Sequence, residues 1–439
     1  MALTIQAHHH GRWHDAAQLM VDEPSRGRAG PARLEYDPLY ACDWLGHDDL
    51  PACSLRLPVE LILLHRSPHW FGFLDDIMPS GAGRRFWIAY LGLTNQEPRQ
   101  QDYELLSRGT VAPVGNLRIA QAVPEQASTQ RFGLNEVVER DTDFLEYAQM
   151  HGAAGGGATG AGGEAPKLLL RRDDHERIWI DARQDDDTCL DRHYLVKFPR
   201  GARGTIDADI LRTEYHYYQE LNSLGIETIA TEGMELREGA RYPSLWLPRF
   251  DVGEREGRLE RYGLESIYSL LGRGPGEYLN QFTVIRTLAQ LLAQREHDQG
   301  FDQAGFTIEW VKRDLLNIAF GNADNHGRNS ALIKRPEGVT LAPVYDFAPM
   351  RADPEGIVRT TTWGQPFESG GRFDWHAIAA ELVDLVEPER LLDELGRLAR
   401  QLVGLRDRLE TRGVPSSILD MPNVGLGNLD QRINTWRLP

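Results

Sequence analysis

"GNADNHGRN", residues 321–329, follows directly on the apolar run "WVKRDLLNIAF" (310–320) and precedes the strand-like "SALI" (330–333). Its nine residues hold one carboxylate, one imidazole, one guanidinium and three carboxamides. Within it, Asp324 and Asn329 stand in the spacing D-x-x-x-x-N. Phosphoryl transfer from a nucleotide needs that pair: a carboxylate to take the proton of the attacking hydroxyl, and a side-chain oxygen for a divalent cation. Asp or Asn near a helix end is ordinarily a cap, so the loop has to be read with the rest of the chain.

The other parts occur in the matching order. "PVYDFAPM" (343–350) places Asp346 after a short apolar strand, seventeen residues beyond Asn329, where a second metal-binding carboxylate belongs. Upstream, "YLVK" (194–197) ends a β-branched run on Lys197, positioned to pair with nucleotide phosphates. Glu214 lies seventeen residues later in "ADILRTEYHYYQELNSLGI", where Leu211, Tyr215, Tyr218 and Leu221 recur at helical spacing, and it is expected to hold Lys197 by an ion pair. A glycine-rich tract, "HGAAGGGATGAGGEAPK" (151–167), comes first. By composition that tract is a linker. Followed by strands and a helix, it reads as a phosphate loop. The four side chains Lys197, Asp324, Asn329 and Asp346 are expected to gather around one magnesium-bearing triphosphate, with Asn322 and Asn325 pinning the loop backbone.

The organisation agrees. A chain of 439 residues exceeds one ordinary core. Residues 1–105 mix short strands with helix signals, including two apolar segments broken at Pro79–Gly83. Residues 106–254 contain a hairpin-like "KLLLRRDDHERIWIDA" (167–182), the Lys197 strand ending at Pro199, and a strand at 242–251. Residues 255–439 are mostly helical, and Leu391, Leu395, Leu398, Leu402 and Leu405 form a stripe suited to core packing. The fold class expected is α+β: a two-lobed protein-kinase-like fold with an extra N-terminal α/β subdomain and a mostly helical C-terminal lobe.

Composition narrows the class further. Apolar residues make up 41% and charged residues 26%, the balance of a globular protein. A net charge of −17 repels nucleic acid on average. Cys42, Cys53 and Cys189 are scattered without C-x-x-C spacing, as in a reducing cytoplasm. The opening "MALTIQAHHHGRWHD" has no signal-peptide core, and runs such as "LILL" (61–64) are too short to span a bilayer. The expectation is a soluble cytoplasmic protein with no membrane contact. His8, His9, His10 and His14 crowd one stretch, but three adjacent histidines do not point one way and no cysteine or carboxylate cluster follows. They read as surface or β-lobe residues.

"LLNIAFGNADNHGRNSALI" with "LAPVYDFAPM" resembles the kinase core of the HipA family, the toxins of bacterial type II toxin–antitoxin systems. "FGFLDDIMPSGAGRRF" is similar to that family's N-terminal F-x-x-x-L-P-x-G region, "GGEAPK" (162–167) to its phosphate loop, "YLVKFP" to its ATP-lysine strand and "LPRFD" to its hinge, so the likeness spans about residues 5–410. It implies that Asp324 is the proton acceptor. It implies an ATP site made by Gly162, Gly163, Glu164, Ala165, Pro166, Lys167, Lys197, the hinge Pro248, Arg249 and Phe250, then His326, Gly327, Arg328, Asn329, Tyr345 and Asp346, with Mg2+ on Asn329 and Asp346. It further implies a serine/threonine protein kinase acting on a protein substrate such as an aminoacyl-tRNA synthetase. Its partner would be a helix-turn-helix antitoxin, and DNA would be met only through that antitoxin.

This chain departs from the pattern at two points. The hinge carries Pro248 where the family often has Glu, leaving only a carbonyl to bond there. Self-silencing members carry a serine seven residues before the loop lysine; here that place is Gly160, with Thr159 beside it as the candidate for autophosphorylation. Two other readings use the same residues. Asp324, His326 and Asn329 as D-x-H-x-x-N also resemble aminoglycoside and choline phosphotransferases. A catalytically inactive scaffold that binds an antitoxin would not need to keep Lys197, Asp324, Asn329 and Asp346.

Overall fold

Leu3, Ile5 and Ala7 alternate with more exposed neighbours, and in the computed structural model that alternation makes β1 (Ala2–His9) a strand with one face in a core. His10 and Gly11, both at positive φ, turn the chain tightly into β2 (Arg12–Val21). With β3 (Ala32–Tyr36), β4 (Leu64–Ser67) and β5 (Leu117–Ile119) they form an antiparallel five-stranded sheet in the order β4-β3-β2-β1-β5. Residues 2–126, 130–141, 143–145, 148, 167–199, 204–295 and 300–439 are described by the structure.

The chain divides into two compact units, each built from three segments. The first comprises Met1–Arg200, Glu232–Gly274 and Ala331–Ala342; the second comprises Gly201–Thr231, Pro275–Ser330 and Pro343–Pro439.

The first unit holds a second antiparallel sheet, six-stranded: β6 (Phe132–Gly133), β7 (Lys167–Arg172), β8 (Arg177–Trp179), β9 (Arg192–Lys197), β10 (Glu235–Glu238) and β11 (Pro243–Pro248), in the order β10-β11-β9-β7-β8-β6. The hairpin expected at 167–182 is β7–β8, with Arg171 opposite Trp179. Leu170, Ile178, Tyr194, Val196 and Trp246 fill the core on one face of this sheet. The period of two sends Leu169, Leu195, Lys197, Leu245 and Leu247 to the other face.

Within the histidine stretch His10 is exposed, whereas His8 and His9 lie on a strand and are not surface residues. His8 and His9 are both fully buried, because the last residues of β1 are covered on both faces. His8 Nε2 lies 3.1 Å from Asp187, and His9 Nε2 lies 2.9 Å from the Tyr40 hydroxyl. Burial, with His14 next, pushes the His9 imidazole down to about 2, so it is neutral. The run "LILL" is also not core: Leu61, Ile62 and Leu63 are exposed.

The second unit is mostly helical. The helix Thr205–Ser223 buries Leu211, Tyr217, Tyr218 and Leu221, and ends where Gly225 takes φ +74°. Glu220, buried on that helix, accepts from Arg408 Nε and Arg412 Nε, each at 2.7 Å. The leucine stripe packs as expected. Leu391, Leu395, Leu398 and Leu402 lie on the helix Pro388–Leu402 and Leu405 opens the next, Leu405–Arg412, after a left-handed Gly404. No helix among the described residues is long and apolar enough to cross a membrane. Leu395→Ala should lower unfolding stability by about 2–5 kcal/mol through the cavity it leaves; denaturant unfolding followed by circular dichroism reads that loss.

Candidate active site

The helix Gln303–Ala319 delivers the 321–329 loop. Asp302 caps its start by accepting the Gly305 N–H at 2.9 Å, and Phe306, Trp310, Val311, Leu315 and Ile318 bury one side of it. At its end Gly321 takes φ +69°, and a Cβ there would sit 2.8 Å from the Val424 carbonyl oxygen. Glycine alone leaves the helix in this direction.

Inside the loop the carboxamides have separate tasks. Asn322 donates to Asn317 Oδ1 at 2.9 Å and accepts the Asp324 N–H at 3.1 Å. Asn329 Nδ2 donates to the Asp324 carbonyl at 2.7 Å. The backbone of Asp324 is therefore held on both sides of its Cα, and its carboxylate is partly exposed, at 20%. His326 Nδ1 accepts the Arg328 N–H at 3.3 Å, which leaves the imidazole proton on Nε2, 3.4 Å from Asp324 Oδ1. His326 Nε2 thus faces the carboxylate. Tyr345 donates to the buried Arg328 carbonyl at 2.6 Å, tying the strand before Asp346 to the loop.

Asn325 does something the sequence did not suggest. It leaves its own loop, donating to the Thr361 carbonyl at 2.6 Å and accepting the Thr360 N–H at 3.0 Å and the Thr361 N–H at 3.3 Å. The segment it grips is fixed from below. Buried Asp314 accepts from Arg359 Nη2 at 3.0 Å and Trp363 Nε1 at 2.8 Å, and Arg359 Nε donates to Glu368 at 2.9 Å. A carboxylate in the middle of an otherwise apolar helix stripe was the available signal for Asp314.

Asp346 follows the parallel bridge between Thr228 and Val344 and has φ +53°, a backbone shape that a non-glycine residue keeps only when its surroundings hold it. The next residue's N–H, Phe347, donates to the Tyr218 hydroxyl at 3.2 Å, and Tyr218 donates to Glu214 Oε1 at 3.0 Å. Glu214, Asp324, His326, Gly327, Arg328, Asn329, Tyr345 and Asp346 all belong to the second unit.

The first unit carries the remaining described candidates. Lys197 on β9 stands directly opposite Lys167 on β7, and both are buried on the leucine-bearing face of the sheet. The sequence places Lys167 at the end of the loop and the start of a hairpin, but does not show that Leu169, Leu195 and Leu247 share its face. Pro248 pairs with Tyr194, and the Arg249 N–H donates to the His193 carbonyl at 3.0 Å. The Arg249 guanidinium is held by Asp251 at 2.9 and 2.5 Å. Thr159, Gly162, Gly163, Glu164, Ala165 and Pro166 lie outside the described residues.

A hard divalent cation takes oxygen ligands. Asn329 Oδ1 is buried without a hydrogen-bond partner, and the Nδ2 bond to Asp324 fixes which end of the carboxamide is the oxygen. That orphaned acceptor suits magnesium, with Asp346 as the carboxylate. Among the described residues no group of three or more His, Cys, Asp or Glu is placed to hold a metal. Magnesium bound through one or two side chains and substrate phosphates requires none.

The family model for the HipA-like C-terminal domain matches residues 159–403, more than half of the chain, and the chain belongs to the HipA family. Among solved structures it is similar to HipA of Shewanella oneidensis MR-1, determined in complex with HipB and operator DNA. That likeness covers 99% of both chains with a TM-score of 0.66 and 17% identity. The shared fold is a kinase-like α+β architecture. A looser likeness, TM-score 0.34 and 11% identity over 63% of this chain and 89% of the other, is to the Helicobacter pylori proinflammatory kinase CtkA. No curated protein matches the chain.

Asn325→Ala should leave three backbone groups of Thr360 and Thr361 without their partner and cost about 1–3 kcal/mol. Hydrogen exchange should quicken at those two amides while the core of the helix Gln303–Ala319 keeps its protection.

Proposed function

We propose that this protein is an ATP-dependent serine/threonine protein kinase that serves as the toxin of a toxin–antitoxin pair. The observation that carries the reading is the buried, orphaned Asn329 Oδ1 in a loop where Asn322 and Asn329 hold the N–H and the carbonyl of Asp324. Asp324 takes the proton from the acceptor hydroxyl, with His326 orienting its carboxylate. Asn329 and Asp346 hold magnesium. When bound, the ion neutralises charge that develops on the transferring phosphoryl group.

Lys197 supplies charge to the nucleotide phosphates, and Glu214 is the carboxylate that pairs with that lysine. Lys167 and residues 162–166 make the phosphate loop, while Gly327, Arg328 and Tyr345 complete the nucleotide's surroundings. Leu169, Leu195 and Leu247 give the first unit's sheet an apolar face suited to a purine, and Pro248–Phe250 is its hinge. Residues 1–105 form the N-terminal subdomain that distinguishes the family from other kinases. Thr159 is the candidate site of self-phosphorylation.

The substrate in this reading is a component of translation such as an aminoacyl-tRNA synthetase, in the cytoplasm. The Shewanella protein assembles with HipB and operator DNA; by analogy a helix-turn-helix antitoxin restrains this chain, and DNA is reached through it. The net charge of −17 favours a basic partner over direct DNA contact.

With labelled ATP and a cell lysate, label should enter protein and Asp324→Ala should cut transfer by about 10²–10⁴ with the fold intact. Predominant labelling of small metabolites, or unchanged transfer in Asp324→Ala, would overturn the reading.

A further inference from the structure

Tyr217 and Tyr218 stand side by side on the helix Thr205–Ser223, both fully buried. Their hydroxyls serve different elements. Tyr217 donates to the Phe320 carbonyl at 2.9 Å, at the base of the 321–329 loop, and its ring lies 4.8 Å from that of Phe320 and 6.0 Å from that of Phe347. Tyr218 instead bridges two groups, the Phe347 N–H and the Glu214 carboxylate.

The directions of those two bonds are forced. A backbone N–H can only donate, so the Tyr218 oxygen accepts it, and the single phenolic proton goes to Glu214. Burial pushes the phenol well above its ordinary value, with Glu214 and Asp346 adding to the effect, so that proton stays in place. The amide that Tyr218 holds belongs to the residue after Asp346, whose φ is +53°. A strained turn of this kind persists only while neighbours over-determine it. An ordinary core tyrosine accounts for the burial but not for one oxygen shared between these two elements.

We propose that Tyr218 is a positioning residue that couples Glu214 to the left-handed turn at Asp346, so that the state of one carboxylate sets the affinity of the other for a divalent cation. The roles of the two carboxylates rest on the kinase reading above. Loss of Glu214 frees the phenolic proton to re-aim, which loosens the grip on the Phe347 N–H. The turn at Asp346 then relaxes away from the geometry that presents its carboxylate.

The test uses the full chain, Mn2+ as the probe with ATP present, and electron paramagnetic resonance of free Mn2+ as the readout. Native protein, Glu214→Ala, Tyr218→Phe and the double variant form one cycle. In the native background Glu214→Ala should weaken Mn2+ binding about fivefold or more, and in the Tyr218→Phe background by less than about twofold. Tyr217→Phe is the control: it removes an equally buried hydroxyl and should leave the Glu214→Ala effect as it is in the native protein. Equal effects in both backgrounds, or none in the native one, overturn the coupling. If Tyr218→Phe does not fold, amide exchange decides: Glu214→Ala must speed exchange at Phe347, and native exchange there refutes the inference. Coupled Mn2+ binding without phosphotransfer would sink the kinase reading alone, and a native chain that takes up no Mn2+ would sink both.

Discussion

The two peptide groups that flank the Asp324 Cα are each gripped by a side chain, the N–H by the Asn322 carboxamide and the carbonyl by that of Asn329. A loop of polar residues would otherwise sample many backbone states, and ordering it costs about 1–2 kcal/mol per residue in conformational entropy. Two side-chain bonds, one to each peptide group flanking Asp324, confine that residue. The same Asn329 carboxamide that donates to Asp324 turns its oxygen away from that bond, so backbone order and the orphaned acceptor come from one side chain. Asn322 is in turn held by Asn317, in the last turn of the preceding helix. The position of Asp324 thus derives from the packing of that helix.

A second constraint lies beneath the loop. Asp314, Arg359, Trp363 and Glu368 make a buried polar network in which each charge has an opposite partner. Such networks are weak evidence for stability, since taking ions out of water is costly, but removing one partner leaves an uncompensated charge and is strongly disruptive. Here the network fixes the strand-like segment that Asn325 grips. The rigidity of the site is therefore distributed over residues far apart in sequence, from 314 to 368.

Much of this was legible in the residues. The spacing of Asp324 and Asn329, the strand before Asp346 and the strand ending on Lys197 are local patterns, and local patterns survive folding. The leucine stripe at 391–405 was also readable, since helical period and burial coincide. What escaped was set by tertiary contact. Nothing local distinguishes Asn322, which binds its own loop, from Asn325, which binds a segment thirty-six residues away. Lys167 was legible as the end of the loop and the start of a strand, but its place opposite Lys197 depends on strand register. Tyr218 read as one more apolar position on a helix, because periodicity reports the side a ring faces and not what its hydroxyl meets. His8 and His9 defeated the surface reading for the same reason: burial on both faces at the end of β1 is decided by what covers the sheet.

The unit that carries Asp324 is assembled from Gly201–Thr231, Pro275–Ser330 and Pro343–Pro439, interleaved along the chain with segments of the other unit. Its contacts consequently join residues distant in sequence, a topology that slows folding. On the ribosome, where domains ordinarily complete themselves in order as they emerge, this unit has to wait for its third segment. Tyr218 is translated more than a hundred residues before the Phe347 amide it receives. A nascent chain stalled anywhere short of that point lacks the turn at Asp346 altogether, so the tyrosine hydroxyl meets its second partner only after the third segment is made.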